Sequence, residues 1–110
     1  MYFKLITNLS LGKHVYSYDG LKIYLPKNKR DVTFRYVVSG FYINNYSKKL
    51  QSFKENFYFI DIGSNIGYYS LKALSNNNCR NTISIEPNKK IIGYLKNNLI
   101  TNFKKKSYVY

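Results

Sequence analysis

The sequence predicts an α/β protein in which a β-hairpin precedes a parallel β-α-β-α-β unit. Near the N-terminus, an Asp-Gly pair separates two runs rich in β-branched and aromatic residues. Further on, the apolar run FYFIDI (57–62) is followed by a glycine-bearing turn and a short helical pattern. A second such run, NTISIE (81–86), precedes a longer helical pattern. Alternating strands and helices of these lengths are typical of a parallel sheet with right-handed crossovers.

The first two strands are predicted at residues 14–18 and 21–25. They flank Asp19-Gly20, and a two-residue Asp-Gly loop adopts positive φ at both positions in a tight hairpin. Pro26 is expected to end the second strand because it cannot donate a backbone hydrogen bond.

The stretch that follows the hairpin is less regular. Residues 32–46 are apolar without a clean period, so a short strand and a short helix both remain open. Ser47 to Glu55 is polar with apolar residues three apart, which favours a surface helix.

The pattern becomes clear from residue 57 onward. A continuous apolar run such as 57–62 suits a parallel strand that is buried on both faces. The turn GSNIG (63–67) and the short helix YYSLKALS (68–75) come next, and 81–86 is the second strand.

A second helix and a third strand complete the predicted unit. Asn88 is a plausible N-cap, and Ile92, Leu95 and Leu99 form an apolar stripe on the helix that it starts. Residues 107–110 are predicted to begin a third strand.

Length and composition limit the chain to one domain. It has 110 residues, of which 45% are hydrophobic, enough to build a core. We divide it into a lead-in with the hairpin (1–56) and the first part of the parallel domain (57–110). No stretch approaches the roughly 18 to 20 apolar residues of a membrane span. The N-terminus lacks an apolar block with a cleavage site, so we expect a cytoplasmic protein.

Cysteine and histidine are too few for a disulfide or a zinc site. Cys79 and His14 are each the single residue of their type in the sequence, whereas a structural zinc needs four such ligands. No metal is therefore expected, and Cys79 is interpreted as an incidental loop residue.

The net charge of +13 raises the alternative of a non-catalytic basic module that binds nucleic acid. The charge is spread evenly, however. Residues 1–56 contain ten basic and three acidic side chains, and residues 57–110 contain eight and two. Lys, Asn, Ile, Tyr and Phe account for 60 of the 110 residues, and A- and T-rich codons encode all five. Coding bias is thus the favoured explanation, and nucleic acid is a disfavoured partner.

The residues that carry chemistry lie where the predicted parallel strands end. Asp61 closes the first strand, Gly63 and Gly67 occupy the turn after it, and Glu86 closes the second. Open α/β sheets bind ligands at this edge. Glycine permits a tight turn and a close approach of the backbone to a ligand, while an acid after the second strand can hold both hydroxyls of a ribose. The null alternative is that both acids only cap strands and helices.

These motifs resemble those of a known enzyme family. DIGSNIGYYSL (61–71) resembles the first motif of class I S-adenosylmethionine-dependent methyltransferases, and its asparagine at position 65 is typical of the FkbM type. SIEPN (84–88) and then LKNNLITN (95–102) are similar to the next motif of that family. The resemblance covers 57–103 and implies an incomplete Rossmann-like methyltransferase fold. A nicotinamide cofactor is disfavoured because its fingerprint has glycine where this chain has Asn65.

The resemblance implies that S-adenosylmethionine is the cofactor and assigns its binding residues. Asp61 and the backbone of Gly63 would face the methionine moiety, Glu86 would bind the ribose hydroxyls, and the remaining positions would shape the loop or flank the adenine. The full implied set is Asp61, Gly63, Asn65, Gly67, Glu86, Pro87 and Asn88. Tyr68 and Tyr69 also match the family pattern, and we expect them to pack under the helix.

The implied reaction is methyl transfer to a hydroxyl oxygen of a small molecule or sugar. No residue of this chain can be assigned as the catalytic base. The resemblance also implies further strands after Tyr110, so we expect a fragment with little or no activity alone and an unpaired edge at 57–62. A partner chain is one source of the missing half. A relic without function is the third hypothesis, beside the enzyme and the nucleic-acid module.

Overall fold

The computed structural model describes residues 14–24, 26–27, 30–104 and 107–110. The helices and strands of these residues follow each other in the order β1 (His14–Tyr16), β2 (Lys22–Tyr24), α1 (Val32–Val38), α2 (Asn45–Ser52), β3 (Phe57–Ile62), α3 (Tyr68–Leu74), β4 (Cys79–Ile85), α4 (Lys89–Asn102) and β5 (Ser107–Val109). No helix within the described ranges has both the length and the apolar character needed to cross a membrane.

The N-terminal hairpin is present, but its loop differs from the prediction. β1 and β2 are antiparallel, and the N–H of Gly20 donates to the carbonyl oxygen of Ser17. Only Gly20 has a positive φ, at 84°. This is the three-residue loop in which a turn is followed by one left-handed glycine. The predicted two-residue loop was wrong because the Ser17 hydroxyl accepts from Leu21 N and donates to Asp19, which shortens both strands. Leu25, predicted as the last strand residue, lies outside the described residues.

The open question after the hairpin is answered by a helix. Asp31 begins α1 by accepting a hydrogen bond from the N–H of Phe34 at 2.7 Å, and Phe34, Val37 and Val38 are buried. Capping by an acid supplies a partner for a backbone donor that the helix itself cannot satisfy.

The predicted surface helix starts and ends earlier than expected. Asn44 and Ser47 form a reciprocal capping box at the start of α2, so Ser47 is buried rather than exposed. At the other end, the Asn76 amide donates to the carbonyl oxygens of Leu50 and Phe53. These bonds satisfy acceptors that α2 leaves free, which is why the helix stops at Ser52.

The parallel unit has the predicted topology. β3, β4 and β5 form one sheet in that order, and both pairings are parallel. In α4, Asn88 accepts from the N–H of Lys90 as the predicted N-cap. Because both crossovers move in the same direction along the sheet, a right-handed path places α3 and α4 on the same face.

Among the described residues, α3 and α4 therefore cover one face of the sheet, and no helix covers the other. Leu71, Leu74, Leu95 and Leu99 are almost fully buried between the helices and the sheet. On the other face, Ile62 is 79% exposed. The prediction that 57–62 is buried on both faces was wrong, because no described element covers the second face. Cys79 is not a loop residue either, since it is the buried first residue of β4.

A buried ion pair joins the hairpin to α3. The ammonium of Lys72, only 4% exposed, contacts the carboxylate of Asp19, which also accepts hydrogen bonds from Ser17 and Tyr68. Burial alone would raise the pKa of Asp19, but the hydrogen bonds from Lys72 and Ser17 and the lysine charge hold it below the ordinary value of 3.8. The pair fixes the hairpin tip against the parallel unit.

We predict that Asp19→Ala lowers the free energy of unfolding by about 3 kcal/mol, because the Lys72 ammonium is left buried without a counter-charge. Asp19→Ala/Lys72→Met should recover part of the loss, as measured by urea unfolding at pH 7. Because the pKa of Asp19 is depressed, its contribution is full above 3.8 and is lost as the pH falls through the folded-state pKa. Equal stability of the wild type and Asp19→Ala at pH 7 would show that the pair contributes nothing.

Gly67 is the second sensitive position. Its φ is +89°, and an added Cβ would lie 2.6 Å from Cδ1 of Leu95, so Gly67→Ala should cost about 2 to 4 kcal/mol through backbone strain and overpacking. Gly93 is the matched control. It lies within α4 with open space around its Cα, so Gly93→Ala should stabilise the chain by about 0.5 to 1 kcal/mol. Urea unfolding of both variants tests this contrast, and a harmless Gly67→Ala would contradict the packing described.

Candidate functional site

The candidate site is the loop between β3 and α3, at the carboxyl end of the sheet. Its backbone is left-handed at three alternate positions, with φ of 75° at Gly63, 51° at Asn65 and 89° at Gly67. Asn65 is the only described non-glycine residue with a positive φ, and asparagine tolerates that conformation better than most side chains. The N–H groups of Gly63 and Ser64 donate to the carbonyl oxygen of Ile85, which holds the loop over the end of β4.

Glycine is required at positions 63 and 67 of the loop for different structural reasons. An added Cβ on Gly63 would meet nothing within 4 Å, so this position requires glycine for its φ and leaves the backbone open. Gly67, by contrast, lies against Leu95 and Leu99. Glycine at position 67 therefore allows the loop to pack closely against α4.

Asp61 is buried beneath the loop at the end of β3. Its Oδ2 accepts hydrogen bonds from the N–H and the hydroxyl of Ser70, at 3.2 and 2.7 Å. The Ser70 hydroxyl lies 2.8 Å from that of Ser84, so a short polar chain runs between β3, α3 and β4. Burial raises the pKa of Asp61 above its ordinary value, and the bonds from Ser70 oppose this only in part. A carboxylate held in this state gains from a cationic partner.

Glu86 follows β4 and links the loop to the next helix. Its Oε2 accepts from the N–H of Asn65 and its Oε1 from the N–H of Asn88, both at 2.8 Å. The carboxylate is 7% exposed. Glu86 therefore forms capping hydrogen bonds of the kind that a purely structural role predicts. Each carboxylate oxygen keeps a second lone pair, so it can accept a further hydrogen bond.

A cavity of about 190 Å³ opens beside the loop. Of the residues that the sequence singled out, Asp61, Gly63 and Asn65 line it, together with Tyr68 and Tyr69, which were expected only to pack under the helix. Gly67, Glu86, Pro87 and Asn88 do not line this cavity. The structure therefore brings the predicted methionine-side residues to one space and leaves the predicted nucleoside-side residues outside it.

One buried acceptor in this region has no partner. Oδ1 of Asn65 is buried and forms no hydrogen bond with the described residues, while its Nδ2 lies 3.5 Å from the hydroxyl of Thr33. Such an atom costs free energy unless a donor reaches it. Asn65 lines the cavity together with Asp61.

A second cavity, of about 550 Å³, lies on the other side of Ile66, which lines both. Asn88 and Lys90 from the start of α4 line it, as do Phe34 and Tyr94. Asn88 and Asp61 therefore line different cavities. Pro87 is exposed and lines neither of these two cavities.

Three residues of the lead-in were missed as site residues by the sequence analysis. Thr33, Val37 and Tyr42 line the 190 Å³ cavity. The apolar stretch around them had no clear period, and no local pattern indicates that α1 lies across the loop. The signal that was available is the Asp31 N-cap, which would have identified α1 as a helix.

Within the described part of the chain, no group of three or more His, Cys, Asp or Glu side chains could hold a metal ion. His14 lies in β1 against Tyr16 and Tyr24, in the hairpin rather than at the loop.

No protein-family model and no curated protein matches this chain. The resemblance to FkbM-type enzymes therefore rests on the residues of the two motifs alone.

The raised pKa of Asp61 leads to a stability prediction. A raised carboxyl pKa means that ionisation destabilises the fold as the pH rises above 3.8. Asp61→Asn keeps an oxygen for Ser70 and removes the buried charge, so it should raise the free energy of unfolding at pH 7 by on the order of 1 kcal/mol. The gain should shrink as the pH falls toward 4. Urea unfolding at both pH values measures it, and a clear loss at pH 7 would assign Asp61 to capping alone.

Proposed function

We propose that this chain is the cofactor-binding part of an FkbM-type methyltransferase and that its loop between β3 and α3 binds S-adenosylmethionine. The observation that carries the proposal is that two residues lining one cavity contain acceptors that are unfavourable as they stand. Asp61 and Asn65 both line the cavity beside the left-handed loop, Asp61 is a buried carboxylate, and Oδ1 of Asn65 is buried without a partner among the described residues. Both acceptors are of a kind suited to an ammonium group.

The residues present fit the amino-acid end of this cofactor. The open backbone at Gly63 admits a ligand carboxylate or sulfur without a side-chain clash. A cavity of about 190 Å³ is of a size for the amino-acid moiety and leaves the nucleoside outside it. When bound, the cofactor supplies an electrophilic methyl group on a sulfonium, and the task of the protein is to orient the acceptor and exclude water.

The proposed binding of the nucleoside end of the cofactor depends on Glu86. Its carboxylate holds the loop through Asn65 N and retains lone pairs for two ribose hydroxyls. Binding there does not require the existing bonds to break. Asp61 lies near the end of β3, and Glu86 directly follows the adjacent strand β4. Open α/β sheets hold nucleotides at the carboxyl ends of such strands.

Two acids also offset the charge of the ligand. S-adenosylmethionine carries a sulfonium and an ammonium, whereas the chain has a net charge of +13, so its long-range field opposes binding. Local carboxylates are needed to reverse this effect at the site, and both Asp61 and Glu86 are buried, which protects such an interaction from screening by solvent.

The proposed reaction is O-methylation of a small molecule or sugar. No described residue near the loop is a histidine, and we assign no catalytic base.

We predict that calorimetry detects binding of S-adenosylmethionine and S-adenosylhomocysteine, and that Asp61→Asn weakens it by about 10- to 100-fold. This corresponds to the loss of one charge-assisted hydrogen bond of roughly 1.5 to 3 kcal/mol. The matched control is Glu55→Gln, since Glu55 is an exposed acid before β3 and its loss changes the net charge equally. Equal weakening in both variants would indicate long-range charge only, and no binding to the wild-type chain would refute the proposal.

A further inference from the structure

Three tyrosine rings line the 190 Å³ cavity beside the loop. They belong to Tyr42, which lies between α1 and α2, and to Tyr68 and Tyr69 at the start of α3. The ring centroids are 5.5 to 6.2 Å apart. Tyr69 is inclined by 76° to Tyr42 and by 66° to Tyr68, so the rings lie in different planes rather than in one stack. We name these three residues the tyrosine cluster.

The hydroxyl groups of two of these tyrosines are bonded to residues outside the cavity lining. The Tyr68 hydroxyl donates to Oδ2 of Asp19 at 3.2 Å, and the Tyr69 hydroxyl accepts from the side-chain amide of Asn44 at 3.1 Å. Neither Asp19 nor Asn44 lines the cavity. Because both hydroxyls are held there, these tyrosines present a ligand with their rings rather than with a hydrogen-bonding group.

The charge of the cavity lining is the opposite of the charge of the chain. Among the described residues that line the cavity, Asp61 is acidic and none is basic, although the sequence has 18 basic and five acidic side chains. The face of an aromatic ring is the negative part of its quadrupole. An acid beside three rings, without a base, therefore favours a cation in this space.

One ring of the tyrosine cluster already lies against a cation. The ammonium of Lys72 is 5.6 Å from the ring centroid of Tyr68, within the roughly 6 Å over which a cation–π attraction acts. Lys72 is paired with Asp19 and does not line the cavity. Tyr42 and Tyr69, which are both half-buried, are therefore the two rings of the cluster that remain for a ligand.

The apolar part of the lining limits the kind of cation. Val37 and Ile66 line the cavity beside the rings. A primary ammonium has three N–H donors that each need an acceptor, whereas a methylated sulfonium or quaternary ammonium has none and carries its charge on an apolar surface. Aromatic rings bind such methylated onium groups through their faces, so this class fits the part of the cavity that the rings form.

We propose that Tyr42 and Tyr69, together with Asp61, form a binding site for a methylated onium group. Resting on the proposed function, that group is the sulfonium of S-adenosylmethionine. A short carbon chain joins this sulfonium to the α-ammonium, so one small cavity can hold both. Tyr42 and Tyr69 then determine specificity, because S-adenosylhomocysteine has a neutral thioether at the same position and gains no cation–π attraction from the rings.

The first experiment tests the onium site without the cofactor. Choline is the quaternary ammonium probe, and the control is its neutral isostere, the alcohol in which carbon replaces nitrogen. Both are titrated into the isotope-labelled full chain, and amide chemical shifts are followed by NMR. We expect choline to shift the amides of Gly63 and Asn65, which line the cavity, and to bind about 5-fold or more tightly than the alcohol.

Three variants assign this preference to the ring of Tyr42. Tyr42→Leu keeps an apolar side chain but removes the ring, so it should weaken choline binding by about 3- to 30-fold. Tyr42→Phe keeps the ring and should bind choline within about twofold of the unmodified chain. Tyr46→Leu is the matched control, because the Tyr46 ring lies 5.2 Å from that of Tyr69 but does not line the cavity. It should also leave choline binding unchanged.

The second experiment measures how the chain distinguishes the two forms of the cofactor. Calorimetry with Tyr42→Leu should show S-adenosylmethionine weakened by about 3- to 30-fold and S-adenosylhomocysteine by less than about twofold. The selectivity for the charged form should therefore fall in Tyr42→Leu and persist in Tyr42→Phe.

Several outcomes would overturn the proposal. These are equal binding of choline and the neutral alcohol, equal losses in Tyr42→Leu and Tyr42→Phe, and an unchanged selectivity between the two cofactor forms in Tyr42→Leu. If Tyr42→Leu does not fold, the comparison of choline with the alcohol in the unmodified chain still decides. Choline binding without binding of S-adenosylmethionine would refute the proposed function and retain the onium site. The reverse result would retain the proposed function and refute the onium site.

Discussion

The direction of the two crossovers determines most of this structure. From β3 to β4 and from β4 to β5 the chain moves the same way along a parallel sheet, and a right-handed path leaves both helices on one side. The same constraint brings the ends of β3 and β4 to one edge, where Asp61 lies near the end of β3 and Glu86 follows β4. The candidate site and the face of the sheet that no described helix covers are thus two consequences of one topological choice.

The elements that the sequence predicted correctly have strong local signals. The strand 57–62, the Asn88 N-cap and the parallel order depend on apolar runs and capping residues that act within a few positions. The errors concern long-range contacts. The hairpin loop changed because the Ser17 hydroxyl is tied to Asp19, which Lys72 of a distant helix fixes. The end of α2 depends on Asn76, which is 24 residues beyond Ser52 in the sequence. Periodicity does not encode such partners.

The site shows the same division. The pattern of glycines and acids correctly indicated a loop at the strand ends, but it did not reveal how the acids are used in the folded chain. Glu86 and Asp61 each accept two hydrogen bonds from protein groups, so capping and ligand binding are not exclusive alternatives. Two lone pairs on each carboxylate oxygen allow one residue to organise the loop and to receive a ligand. The structural bonds hold the acids in place before a ligand arrives, which reduces the ordering cost of binding.

The burial of Asp61 has a free-energy cost, which bears on whether this residue belongs to a binding site or has a structural role only. Burial raises the pKa of Asp61, so the ionised carboxylate costs stability that a neutral side chain of the same shape, accepting a hydrogen bond from Ser70, would not cost. The unpartnered oxygen of Asn65 has the same character, since it too costs free energy in the unliganded chain. Two unfavourable acceptors beside one cavity are expected where a cationic donor group later satisfies both. Strand β4 shows a similar cost, because Thr82 and Ser84 are buried while Ile85 is exposed and Ile83 is only half-buried. Apolar cover on that face of the sheet would remove this cost.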